Sequence, residues 1–75
     1  MELRDLQAFV AVVQYGNFTR AAEALYISQP TLSKSIQKLE ASLKADLLCR
    51  TTRQLQLTDI GGVVYEHAQK ILHSV

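Results

Sequence analysis

Phe18-Thr19-Arg20-Ala21-Ala22-Glu23-Ala24-Leu25-Tyr26-Ile27-Ser28-Gln29-Pro30-Thr31-Leu32-Ser33-Lys34-Ser35-Ile36 is the stretch that decides the fold. A short alanine-rich helix runs into a tight turn, and a second helix follows whose first turns are almost all small or polar. This is the layout of a helix-turn-helix, which presents one helix to the DNA major groove. The second helix has two faces: its inner stripe packs, and its outer stripe offers hydroxyls, an amide and a lysine.

Local signals place the ends of these helices. Ser28 can cap the second helix through its hydroxyl, and Pro30 sits in the first turn, where its missing N–H costs nothing. Leu32, Ile36, Leu39 and Leu43 recur at helical spacing as a buried stripe, opposite Gln29, Thr31, Ser33, Lys34, Gln37 and Lys38. Upstream, Asn17 is a good N-cap for a helix over Phe18–Leu25, and the small side chains of Ala21, Ala22 and Ala24 let it lie close to a neighbour. Turns of this kind often hold glycine, whereas here Tyr26 stands nearest that place. Further back, Leu3, Leu6, Phe9, Val10 and Val13 predict a helix over Leu3–Tyr15, closed by Gly16 as a left-handed cap.

Downstream the period changes. Leu47-Leu48 and Leu55-Gln56-Leu57 predict two short strands around Thr51-Thr52-Arg53-Gln54, a small hairpin or wing with arginines at its base and tip. Thr58 then caps a last helix, about Asp59 to Val75, with Asp59 favourable in its first turn. Ile60, Val64, Ala68, Ile71 and Val75 are expected along one side of it, widened by Val63 and Leu72. With no stop signal after Val75, the chain reads as the front piece of a longer protein.

At 75 residues, 48% hydrophobic and 20% charged, the chain is one globular domain with a thin core. A single cysteine, Cys49, excludes an internal disulfide framework and fits a reducing compartment. The apolar run Ala8 to Val13 is far shorter than the roughly 20 residues that span a bilayer. Net charge is only +1, but it is unevenly spread: Lys34, Lys38, Lys44, Arg50 and Arg53 face only Glu40 and Asp46 between Gln29 and Leu57. The cationic excess lies where DNA would sit, as counterion release requires, although a solvated basic face would look the same.

These residues resemble the N-terminal winged helix-turn-helix domain of LysR-type transcriptional regulators. The ordered set that carries the resemblance is Leu3, Phe9, Gly16-Asn17-Phe18-Thr19-Arg20-Ala21-Ala22, Leu25, Ser28-Gln29-Pro30, Leu32-Ser33, Ile36, Leu39-Glu40, Leu47, Arg50, Arg53, Leu57-Thr58 and Gly61. It implies a mainly α fold: a three-helix core, a short β-hairpin wing and a C-terminal linker or dimerisation helix. The expected divisions are 1–58 for the winged helix-turn-helix, with 18–37 as the helix-turn-helix and 46–57 as the wing, and 59–75 for the start of the linker helix. A C-terminal effector-binding domain, of unknown ligand, is expected beyond this chain.

Further implications are bacterial, cytoplasmic, sequence-specific binding of double-stranded DNA by a homodimer on a pseudo-palindromic operator. A tetramer of the full-length protein and contact with RNA polymerase are compatible with it. No cofactor, membrane or enzymatic activity is implied. The chain departs from the family pattern at Lys44, usually glycine, at Leu48, usually phenylalanine, and at Lys34, often arginine. The first two concern how the wing begins and packs. The third concerns base readout, because lysine lacks the bidentate fork.

Each candidate contact has a plainer alternative. Gln29 can pair with an adenine edge, or be an exposed first-turn residue. Pro30 and Thr31 can touch a thymine methyl, though Pro30 also serves as a helix starter. Ser33 can bond a base, a phosphate or water. Lys34 reaches guanine acceptors or the backbone. Thr19 and Ser28 can donate to phosphates, and capping alone would explain Ser28. Gln37 and Lys38 border the backbone, with Lys38 solvated or loosely on phosphate. Arg50 and Arg53 suit the wing, Arg53 in a minor groove or on the backbone. Ile60, Val63, Val64, Ala68, Ile71, Leu72 and Val75 are the expected dimer-helix residues.

Other chemistry is poorly supported. His67 and His73 are six apart, which is not i, i+4 ligand spacing, so both read as surface or seam histidines. Cys49 has no histidine near it in sequence, Ser33, Asp46 and His67 lack a nucleophile turn or oxyanion hole, and no glycine-rich phosphate loop is present. The main rival is a winged helix used only for protein contact or dimerisation. That rival calls for apolar or aromatic groups on the outer face of the second motif helix, where this chain has polar ones.

Overall fold

A computed structural model describes residues 2–49 and 55–73. Four helices follow in order: α1 (Leu3–Tyr15), α2 (Phe18–Leu25), α3 (Gln29–Leu43) and α4 (Asp59–His73). The bounds of α1 and α2 and the starts of α3 and α4 fall where expected. The expected reach of α4 to Val75 lies outside the described residues.

The caps form as the sequence suggests. Asn17 accepts the Arg20 N–H at 2.7 Å through its side chain, and Ser28 accepts the Thr31 N–H at 3.2 Å. Gly16 closes α1 with φ 74°, its N–H bonded to the Val12 carbonyl at 3.0 Å. The ends of α2 and α3 are less ordinary, because each uses a left-handed residue that is not glycine: Tyr26 at φ 59° and Lys44 at φ 53°. Both ends are Schellman caps. The Ile27 N–H reaches back to the Ala22 carbonyl at 3.0 Å, and the Ala45 N–H to the Glu40 carbonyl at 3.2 Å.

Helix α1 is the hub and packs against the other three. For that reason it buries more than one stripe: Leu6, Ala8, Phe9, Val10, Ala11 and Val12 all leave solvent. Leu3, expected inside, is 41% exposed in the first turn, and Val13 is half-buried. Leu32, Ile36 and Leu39 form the floor of the core as predicted, with Leu43 half-buried at the end of the row. Ala21 and Ala22 are buried, so α2 lies close to its neighbours, while Ala24 faces solvent. On the other side of α1, Phe9 meets Tyr65 of α4 edge to face, with ring centroids 6.3 Å apart at 86°.

The two strands expected in the wing shrink, among the described residues, to one antiparallel bridge between Leu48 and Leu57. The Cys49 N–H donates to the Gln56 carbonyl at 2.9 Å, and the Thr58 N–H to the Leu47 carbonyl at 3.0 Å. The next ladder bond would join the Leu47 N–H to the Thr58 carbonyl, and both groups are already committed. The Leu47 N–H goes to the Glu40 carboxylate at 2.8 Å, and the Thr58 carbonyl takes the Gly62 N–H in the first turn of α4. Arg50 and Arg53, expected at the base and tip of the wing, lie outside the described residues.

Candidate nucleic-acid interface

The outward face of α3 is polar along its first half. Gln29, Pro30, Thr31, Lys34, Gln37 and Lys38 are exposed, and Ser33 is half-buried beside them. One helix face thus gathers every base-contact candidate. The acid of this helix, Glu40, lies two turns beyond Ser33 and is buried, its carboxylate accepting the N–H groups of Leu47 and Leu48. From Gln29 to Lys38 the exposed face carries Lys34 and Lys38 and no acid.

The start of α2 is brought to the start of α3. Gln29 Nε2 donates to Thr19 Oγ1 at 3.0 Å, linking the two helices across solvent-exposed positions. Neither helix carries an acid in its first turn, whereas α1 has Asp5 and α4 has Asp59. The first turns of α2 and α3 thus bring no acid of their own to the positive ends of their dipoles, which suits an external phosphate.

The Ser28 side chain caps the helix start: its oxygen accepts the Thr31 N–H at 3.2 Å and its hydroxyl donates to Thr31 Oγ1 at 2.9 Å. The link from Thr19 to Gln29 went unread in the sequence. The partners are ten residues apart on different helices, and no periodicity signals such a pair.

A second surface lies on α4, whose apolar side chains divide between two faces instead of forming one stripe. Ala68 is 1% exposed and, with Val64, Tyr65 and Leu72, holds α4 to the body. Ile60, Val63 and Ile71 face outward at 52%, 56% and 45% exposure, with exposed His67 on the same side. Ala68 is therefore unavailable to a partner, and Val64 and Leu72 are largely spoken for. Val75 lies outside the described residues. Among the described residues, no cluster of His, Cys, Asp or Glu could hold a metal, and Cys49 is half-buried beside the bridge.

The model of the bacterial regulatory helix-turn-helix protein, lysR family, matches residues 3–62. The chain belongs to the LysR family. This membership makes it a bacterial regulatory helix-turn-helix domain of the DNA-binding kind. It is 52% identical over 71 residues to the SDS degradation transcriptional activation protein of a Pseudomonas species, covering 95% of this chain and 23% of that protein. It is 53% identical over 72 residues to the HTH-type transcriptional regulator BudR of Klebsiella aerogenes, covering 96% of this chain and 50% of that one. The chain thus spans half or less of these LysR-family relatives. Its fold superposes on the crystal structure of the BenM DBD with catB site 1 DNA at a TM-score of 0.94 and 47% identity, over 99% of this chain and 83% of that one. Among the described residues, no helix is long and apolar enough to cross a membrane.

Proposed function

We infer that this LysR-family chain reads a specific operator as one half of a homodimer. The outer side chains of α3 choose the sequence, and phosphate contacts set the register. The observation that carries this reading is the acid-free polar face from Gln29 to Lys38, joined to the start of α2 by the bond between Gln29 and Thr19. In this reading Gln29, Pro30, Thr31, Ser33 and Lys34 meet base edges, and Thr19, Gln37 and Lys38 lie along the backbone. Arg50 and Arg53 follow from the wing.

Two copies joined through the outward face of α4 would set two recognition helices about one helical turn of DNA apart, so the operator is pseudo-palindromic. The exposed row of Ile60, Val63 and Ile71 supports this pairing, since a lone domain leaves it wet. A cytoplasmic location, a C-terminal effector-binding domain, higher assembly and a contact with RNA polymerase complete the proposal for the whole regulator.

The test is selection of bound sites from random oligonucleotides, followed by titration of the selected duplex against salt. Specific binding should weaken steeply, with log K falling by about 0.9 per phosphate contact for each tenfold rise in salt. Lys38→Ala should weaken all duplexes about equally and reduce that slope by about 1. A flat salt response with no selected sequence would favour a protein-binding winged helix and end this reading.

A further inference from the structure

We propose that Thr19 is a positioning residue for base readout: its hydroxyl holds the Gln29 carboxamide in one orientation and thereby decides which base edge Gln29 accepts. The proposal rests on Gln29 being a base contact, as argued above. Its basis is the bond from Gln29 Nε2 to Thr19 Oγ1, 3.0 Å long and made between two exposed side chains on separate helices.

An exposed glutamine turns about three bonds, and the last torsion is broad and nearly two-fold. Left alone, its oxygen and nitrogen ends exchange places at little cost. The two purines ask for different ends. Adenine requires the carboxamide oxygen against N6–H and a nitrogen hydrogen against N7, whereas guanine offers acceptors at both O6 and N7. A glutamine free to flip can give its nitrogen to guanine, but one held by its nitrogen presents oxygen and nitrogen in a fixed order.

The geometry of the amide permits both jobs at once. A carboxamide nitrogen carries two hydrogens. The pair that meets adenine is the oxygen and the hydrogen on its own side. The hydrogen on the far side suffices for Thr19, so the reading edge stays whole. After accepting this bond the Thr19 hydroxyl still has its own hydrogen to donate, and a phosphate oxygen is the natural acceptor at the start of α2. One hydroxyl would then tie backbone register to base choice.

Both ends of the link are anchored. The Asn17 cap sets the first turn of α2, and Ala21 and Ala22 bury its inner side. Gln29 is the first residue of α3, behind the Ser28 cap and ahead of buried Leu32. A side chain held between two fixed helices loses little further freedom on binding.

The experiment takes the duplex that the protein itself selects from random oligonucleotides, with all single-base variants of it. Affinities are measured for the unchanged protein, Gln29→Ala, Thr19→Val, Thr19→Ser and the Thr19→Val/Gln29→Ala pair. Thr19 is exposed, so melting temperatures of the Thr19 variants should match the parent. Gln29→Ala should flatten preference at one base step. Thr19→Val, nearly the same shape without the acceptor, should cut adenine-over-guanine preference at that same step by about fivefold or more, while Thr19→Ser keeps it. Added to Gln29→Ala, Thr19→Val should change that preference no further.

A readout without DNA accompanies these. The Gln29 side-chain amide protons, followed by NMR, should be well separated in the parent and in Thr19→Ser, and collapse toward free-glutamine positions in Thr19→Val. If Gln29→Ala flattens the step while Thr19→Val leaves it intact, positioning is overturned and Gln29 stands as a base contact. If Thr19→Val weakens every duplex equally, Thr19 is a phosphate contact alone and the proposal fails. If Gln29→Ala leaves all preferences unchanged, the base-contact reading fails and takes the proposal with it.

Discussion

The Glu40 carboxylate, near the end of α3, accepts the backbone N–H of Leu47 at 2.8 Å and that of Leu48 at 3.4 Å. One buried side chain therefore fixes where the chain goes after the recognition helix. It also stops the pairing of Leu48 and Leu57 from extending toward α4, because the Leu47 N–H that would continue the ladder there is held by α3. Glu40→Ala removes the side-chain acceptor of two buried N–H groups. It should cost about 2–3 kcal/mol. For a domain of this size that lowers the melting point by roughly 4–8 °C per kcal/mol. Glu40→Gln keeps an acceptor and should lose about half as much. Thermal and urea unfolding would check both, and equal losses would remove the hydrogen-bond account.

Leu47 also limits what may stand at the start of α4. A Cβ added at Gly61 would run into the Leu47 carbonyl oxygen, with Thr58 Oγ1 close by at 3.2 Å, whereas one added at Gly62 meets nothing within 4 Å. Helix propensity favours alanine over glycine by about 1 kcal/mol at either place. Gly62→Ala should realise that gain. Gly61→Ala should instead lose about 1–3 kcal/mol, because the backbone of Leu47 has to move. Denaturant midpoints of the two variants should therefore shift in opposite directions.

Two helix ends hold side chains in a conformation that glycine enters freely. Tyr26 and Lys44 have φ of 59° and 53° in Schellman caps, and Tyr26 is 95% exposed. Replacing Lys44 by glycine removes the clash between Cβ and backbone and should stabilise the domain by about 0.5–1 kcal/mol. Tyr26→Gly should act likewise, since so exposed a ring contributes little packing. Calorimetric melting of the single and double variants tests this, with near-additive gains expected for separate turns.

The outward row on α4 separates assembly from folding. Val63→Glu places a charge where the single domain is already wet, so its melting point should change by less than about 0.5 kcal/mol equivalent. In the proposed homodimer that charge would be buried in the seam, so sedimentation equilibrium should show weaker self-association. Affinity for a full pseudo-palindrome should fall while that for a half-site holds. Ala68→Glu should unfold the domain instead, because Ala68 is enclosed.

What could be read from the sequence is what neighbouring residues settle among themselves. Asn17, Ser28 and Gly16 each act within a single helical turn, so the limits of α1, α2 and the start of α3 follow from the local string. The row Leu32, Ile36, Leu39 and its polar reverse follow from helical period alone, which also separates the exposed face from the packing face. Periodicity failed on α4, where apolar residues on two sides of the helix merged into one expected stripe. Hydrophobicity tells that a side chain prefers to leave water, without saying whether its own fold or a second copy will cover it.

The rest needed the chain folded in space. Glu40 to Leu47, Gly61 against Leu47 and Gln29 to Thr19 each join groups whose meeting depends on how helices cross, not on how residues are spaced. The sequence by itself determined that helices form, where they cap, and which face of α3 stays polar, because those are short-range effects of backbone hydrogen bonding and helical period. Only the tertiary structure decided that the wing is pinned by a buried carboxylate, that α4 divides its apolar residues between core and surface, and that a threonine on one helix holds the glutamine of the next. Such pairings arise when packing brings distant backbone and side-chain groups within hydrogen-bonding range.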